Sequence, residues 1–274
     1  MTDRVLVSVD ELTGDEVLLD VRWALGDPNG REHYASGHIP GAVFVDMEAE
    51  LAAPATPEAG RHPLPPLSDL QASARRWGID DGDSVVVYDA TGGLVAARAW
   101  WLLRWGGVAD VRILDGGLPA WTASGRAVEA GVPETRSGTV TLSGHGMPVV
   151  EIDAAGSWPQ CGVLLDARAG ERYRGEVEPI DPRAGHIPGA ISAPTAANLD
   201  STGHFRSPDE LRERFAGLTD GVPVAVYCGS GVTAAHQIAA LAVAGIEATL
   251  YPGSFSQWSN DESRTVDVGV VESL

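Results

Sequence analysis

The feature that most constrains this chain is that it carries one pattern twice. Val17-Leu18-Leu19-Asp20-Val21-Arg22, an apolar run closed by an acid and a base, leads on to Gly37-His38-Ile39-Pro40-Gly41. Val163-Leu164-Leu165-Asp166-Ala167-Arg168 leads, after nearly the same interval, to Gly185-His186-Ile187-Pro188-Gly189. The matching continues. Ser68-Asp69-Leu70-Gln71 and Ser207-Pro208-Asp209-Glu210 both carry a capping-box signature for a helix start. Ser84-Val85-Val86-Val87-Tyr88-Asp89 stands opposite Pro223-Val224-Ala225-Val226-Tyr227-Cys228, and Gly116 with Trp121 opposite Gly253 with Trp258. Two copies are a duplication, not a solenoid. Each copy alternates short apolar runs with helical patterns, which predicts an α/β fold: a parallel sheet covered by helices, built twice. Turn residues crowd the stretch between Gly125 and Val149. The expected division is a first domain over 1–127, a linker over 128–148 and a second domain over 149–274, and a chain of 274 residues has length for both.

A duplication makes the chain its own control. The residue after the Val-Tyr strand is Asp89 in one copy and Cys228 in the other. What the copies share, the Asp–Arg pair and the Gly-His-Ile-Pro-Gly turn, reads as scaffold; what differs reads as chemistry. After Cys228 come Gly229-Ser230-Gly231-Val232-Thr233 and then an Ala- and Leu-rich stretch ending at Gly245, a helix with a glycine at its C-terminus. A loop alternating glycine with small residues can turn successive N–H groups toward one point at that helix's start. A cysteine held there has its thiolate favoured by the donors and the helix dipole.

Composition removes other chemistries. All nineteen basic residues are arginine, so no lysine can form a Schiff base or serve a P-loop. A net charge of −19 with no basic stretch argues against nucleic acid and against anionic membranes as partners. Two cysteines, Cys161 and Cys228, make no disulfide framework, and neither they nor the seven histidines have metal-clip spacing. The N-terminus lacks a signal peptide's apolar core and no run is long enough to span a bilayer, so a cytoplasmic location is expected.

On these residues the chain resembles the tandem rhodanese-type sulfurtransferases. The markers are Asp20-Val21-Arg22, the two Gly-His-Ile-Pro-Gly runs, the Asp89/Cys228 pair, and Gly116 to Trp121 with Gly253 to Trp258. The resemblance implies two rhodanese-like domains, the first inactive with Asp89 in the cysteine's place and the second catalytic. Within that family Cys228-Gly229-Ser230-Gly231-Val232-Thr233 looks like the loop of 3-mercaptopyruvate sulfurtransferases, being neutral where thiosulfate enzymes carry charge. It implies a Cys228 persulfide cradled by Gly229, Gly231, Val232 and Thr233, and a donor held by Arg172. A second arginine is commonly found in an E-P-R stretch; here Ile180 stands in its place, leaving either Arg183, three residues on, as the substitute or Arg172 working alone. The serine of the loop, Ser230, would belong to a relay reaching from the first domain, with His38 as the histidine and Asp27 as the acid. No cofactor and no metal are implied; the partners are a small-molecule sulfur donor and a thiol acceptor, either a thioredoxin-like protein or a small thiol.

Competing activities are separable. Thiosulfate as donor uses the same persulfide. A cysteine phosphatase needs a longer loop closed by an arginine, and none follows Cys228 before Arg264. A non-catalytic sulfur-carrier or binding module would function without the Cys228 thiol.

Overall fold

The computed structural model describes residues 4–133, 135–217 and 221–269. It divides into two compact units. The first comprises 1–53, 65–147 and 201–205; the second comprises 54–64, 148–200 and 206–274. Each unit thus takes a short segment from the other's half of the sequence.

The first unit holds a five-stranded, wholly parallel sheet made of β1 (Leu6–Val7), β2 (Val17–Val21), β3 (Val43–Val45), β4 (Ser84–Tyr88) and β5 (Asp110–Leu114), in the order β1-β5-β4-β2-β3. Leu19 stands opposite both Val43 and Val87, fixing the central register. Its helices are α1 (Gly30–Ser36), α2 (Met47–Glu50), α3 (Leu67–Arg76), α4 (Ala96–Trp105) and α5 (Gly117–Ala123). Helix α3 starts two residues earlier than the capping signature suggests: Pro66, with φ −52°, is its N-cap, and Ser68 bonds to Asp69. The residues expected to link the domains do not hang free. Gly138 and Val140 donate N–H bonds to the Arg75 and Ile79 carbonyls, and Val140 and Leu142 are buried.

The second unit repeats the design in four parallel strands, β6 (Val163–Asp166), β7 (Ile191–Ser192), β8 (Val224–Tyr227) and β9 (Thr249–Leu250), in the order β7-β6-β8-β9. Its helices are α6 (Ile152–Ser157), α7 (Gly170–Tyr173), α8 (Pro208–Phe215), α9 (Thr233–Val243) and α10 (Ser254–Trp258). Here the capping box is present, Ser207 and Glu210 satisfying each other's N–H groups at the start of α8. Strand β8 is buried along its whole length, as a central parallel strand covered by helices must be. Leu164, Ala225, Tyr227, Tyr251, Phe255 and Trp258 form the core beneath the chain leaving it.

The repeated residues do the same work in both units. His38 and His186 are fully buried; their Nδ1 atoms lie 2.9 and 2.8 Å from the Tyr34 and Tyr173 carbonyls, and each ring stacks on that tyrosine. The Tyr88 and Tyr227 hydroxyls accept the Ile39 and Ile187 N–H groups. Arg22 and Arg168 pair with Asp20 and Asp166 and donate to the Gly37 and Gly185 carbonyls, clamping the turn. Position-by-position identity of bonding is what a scaffold looks like.

Candidate active site

Strand β8 runs straight into Cys228, whose side chain is buried. The chain then curls: Gly231 adopts φ +80°, a left-handed value that a side chain would strain, and its N–H donates to Cys228 Sγ at 3.1 Å. Helix α9 begins two residues later, at Thr233. The loop is held from behind by α10, where the Phe255 and Ser256 N–H groups donate to the Cys228 and Gly229 carbonyls. Ser254 closes the arrangement: its hydroxyl accepts the Cys228 N–H at 3.2 Å and donates to the Tyr251 carbonyl. It does so at φ +54°, a conformation that costs a non-glycine residue about 1 kcal/mol. Every anchor fixes the backbone around one sulfur.

The first unit shows what such a loop does with an anion. The Asp89 carboxylate accepts four backbone N–H groups, from Thr91, Gly93, Val95 and Ala96, at 2.7 to 3.0 Å. In the first copy a carboxylate fills the cradle.

Around the Cys228 loop stand residues from two sources within the second unit. From α7 and the chain after it come Arg172, Glu178 and Asp181. Arg172 donates through Nε and Nη2 to Glu178 and through Nη2 to Asp181. Burial raises the Asp181 carboxyl above the ordinary range, against the pull of Arg61 and Arg172, whereas backbone N–H groups and Arg172 outweigh burial at Glu178 and lower it. From the segment 54–64 come Arg61 and His62. Arg61 Nη1 bonds to Asp181, and the Arg61 N–H donates to Ser256 Oγ. Gly60, at φ +90°, lets that segment lie against α10: a Cβ there would meet the Gly253 carbonyl oxygen at 2.7 Å. His62 Nδ1 lies 2.7 Å from Ser230 Oγ, with both residues buried. A buried thiol, an aimed N–H, a serine–histidine pair and two guanidinium groups therefore converge on one loop.

Comparison with known proteins agrees with that architecture. The rhodanese-like domain family matches residues 8–124 and again 153–261. The chain belongs to the rhodanese-like family. Among its relatives, a Mycobacterium tuberculosis protein provisionally named thiosulfate sulfurtransferase SseB is 46% identical over 97% of this chain and 98% of its own length. A Pseudomonas aeruginosa protein provisionally named 3-mercaptopyruvate sulfurtransferase is 48% identical over 93% of both chains. The crystal structure of Escherichia coli SseA, a 3-mercaptopyruvate sulfurtransferase, superposes with a TM-score of 0.80 at 34% identity, covering 92% of this chain and 99% of that one.

Against this rhodanese frame, the residues expected from sequence divide. Cys228, Gly229, Ser230, Gly231, Val232, Thr233 and Arg172 lie together in the second unit. Arg183 does not join them. Its Nε, Nη1 and Nη2 donate to the carbonyls of Ser259, Arg264, Trp258 and Asp261, so this side chain knits the segment after α10 and has its donors spent. His38 is corrected too. Besides its bond to the Tyr34 carbonyl it meets Glu129 through Nε2, at 3.2 Å, and the histidine against Ser230 is His62. Asp27 accepts from Asn29 and pairs with His33; those local bonds, led by the Asn29 N–H, lower its carboxyl below the usual range. It closes an exposed turn of the first unit. Arg61 and His62 were missed because Pro54 to Pro66 carries no periodicity. A signal existed: His62 sits outside the Gly-His-Ile-Pro-Gly repeat to which His38 and His186 belong. Among the described residues no helix is long and apolar enough to cross a membrane.

Proposed function

We propose that this sulfurtransferase takes sulfur from 3-mercaptopyruvate and passes it, through a persulfide on Cys228, to a thiol acceptor. The observation that carries the proposal is the Ser230–His62 pair set in a loop with no charge of its own. A thiosulfate donor departs as sulfite and needs no proton delivered to carbon. A mercaptopyruvate donor departs as the enolate of pyruvate and does.

The Cys228 thiolate attacks the donor sulfur. The S–S bond forms, the C–S bond breaks, and its electron pair moves onto pyruvate as the enolate. With His62 neutral and protonated on Nε2, the Ser230 hydroxyl donates to Nδ1; with the ring doubly protonated, the proton can pass through Ser230 to the enolate carbon. The Gly231 N–H, already 3.1 Å from Sγ, stabilises the anionic sulfur left behind, with the N–H groups of Gly229, Val232 and Thr233 contributing to the same cradle. A second thiolate, or cyanide in the test tube, then attacks the outer sulfur and regenerates Cys228. Arg172 holds the donor's carboxylate beside Gly229.

A second donor has an observation in its favour. Two guanidinium groups near a neutral loop suit the dianion thiosulfate, and the Mycobacterium tuberculosis relative bears that enzyme's name. Turnover of the two donors side by side, with cyanide as acceptor and Cys228→Ala as blank, decides between them. A higher kcat/KM for 3-mercaptopyruvate is expected. A preference for thiosulfate reverses the assignment, and no turnover of either by reduced protein leaves a carrier module.

A further inference from the structure

The donors that this site leaves unused point to a residue beyond those assigned above. A guanidinium carries five N–H groups and no acceptor. Among the described residues, Arg61 Nη1 is committed to Asp181, but Nε is buried without a hydrogen-bond partner and Nη2 makes no hydrogen bond. Among the same residues, Arg172 Nε and Nη2 are committed to Glu178 and Asp181, while Nη1 makes none. The two idle ends meet over one residue: a Cβ built on Gly229 would lie 2.9 Å from Arg61 Nη2 and 3.4 Å from Arg172 Nη1. Gly229 is the neighbour of the nucleophile, and it is bare where the two guanidinium groups converge.

Leaving a charged donor buried and unpaired, as at Arg61 Nε, is costly, and both guanidinium groups are held in place by carboxylates while their idle ends stay open to an incoming anion. Asp181 does the holding. Only 1% of its side chain is exposed, and it gives Oδ1 to Arg61 and Oδ2 to Arg172, so one buried carboxylate sets the separation of both guanidinium groups. Glu178 and Asp181 supply two negative charges against the two arginines. Affinity for an anion therefore comes from the geometry of the idle donors.

We propose that Arg61 is a donor-binding residue, forming with Arg172 a two-arginine clamp for the carboxylate of the sulfur donor above Gly229. The inference deepens the 3-mercaptopyruvate assignment and rests on it for the identity of the ligand. In that donor two carbon atoms separate carboxylate from sulfur, a span comparable to one step along the chain from Gly229 to Cys228. Arg61 precedes His62, so one segment, seated on Ser256, delivers the carboxylate grip and the serine's histidine in consecutive residues. Ile180, exposed and apolar, offers no such donor.

The test uses Cys228 alkylation, which needs no sulfur donor. In a Cys161→Ser background, the rate of modification by iodoacetate is divided by the rate with iodoacetamide. One reagent carries a carboxylate and the other a neutral amide, so the ratio cancels general changes in access or folding. Arg61→Gln is expected to lower that ratio about ten- to a hundredfold, the loss of charge-assisted hydrogen bonds, with Arg61→Lys intermediate. The same variant should raise KM for 3-mercaptopyruvate with a smaller change in kcat. An unchanged ratio in Arg61→Gln overturns the clamp, as does an equal slowing by both reagents, which would mark a structural role. If the ratio falls but wild-type protein turns over no 3-mercaptopyruvate, the clamp stands and the donor assignment is what fails.

Discussion

Replacing His62 and Ser230 singly and together tests the mechanism at its most specific point. The two side chains are buried and 2.7 Å apart, so a proton on one is shared with the other. If they deliver a proton to departing pyruvate as one device, His62→Ala disables Ser230 as surely as deleting its hydroxyl does. General acid–base assistance of this kind contributes about 10²–10⁴ in rate, or roughly 3–5 kcal/mol at the transition state. Each single variant should lose that factor in pyruvate release, and the double variant should lose no more than about threefold beyond it. The assay is a rapid-mixing single turnover with enzyme in excess over 3-mercaptopyruvate, reading pyruvate through lactate dehydrogenase. The second half-reaction is the internal control: a persulfide loaded on Cys228 needs no proton at carbon, so its discharge by cyanide should change little. Losses that multiply in the double variant, or a His62→Ala protein within about threefold of wild type, would refute the shared device.

The remaining expectations are simpler. His38→Ala should lower stability by about 3 kcal/mol, through a lost ring stack, one broken buried bond and one broken half-buried bond, and leave turnover per folded molecule near wild type; a large drop in kcat without a drop in melting temperature would restore His38 to catalysis. Asp89→Ala should cost at least as much, because four N–H groups lose their shared acceptor, with Asp89→Asn recovering part of the loss in denaturant titrations. Burial pushes Asp20 from an ordinary 3.8 up to about 6, ahead of the opposing pull of Arg22. A raised carboxyl means the folded state binds this proton more tightly than the unfolded chain, so Asp20 is a liability at neutral pH that is relieved as pH falls from above 6 toward 4. The stability of wild type relative to Asp20→Asn should therefore rise by up to about 3 kcal/mol across that window, and a flat difference would show that Asp20 titrates normally.

Much of this molecule could be read from its residues because the repeat supplied a comparison that single sequences lack. The strands around Asp20 and Asp166, the turn at Gly-His-Ile-Pro-Gly and the Asp89/Cys228 contrast all follow from laying one copy over the other. The same comparison warned that His38 has a twin in His186, and the Nδ1 bond and tyrosine stack they share mark it as scaffold. Arg183 misled for a different reason. Its partners are carbonyls of residues 258–264, and a carbonyl leaves no trace in side-chain chemistry. Arg61 and His62 were invisible because neither helix nor strand carries them; a segment rich in proline and glycine announces a loop and says nothing about what that loop touches. Asp181, which holds both arginines, lies three residues beyond Arg172's other partner, Glu178, with Pro179 and Ile180 intervening and no periodicity to single it out.

The segments traded between the two halves of the sequence have a consequence for what can be inherited or engineered. After a duplication one copy is ordinarily free to decay, and the first copy here carries Asp89 where the second carries Cys228. Yet residues 54–64 travel with it, and with them Arg61 and His62. A polypeptide beginning at Val149 would keep the nucleophile and lack both. Supplied as a separate piece, that segment would have to be captured from solution, whereas covalent tethering presents it at an effective concentration on the order of millimolar. On the proposed mechanism the first half of the sequence is a delivery arm, and the second half would not work in another protein as a self-sufficient module.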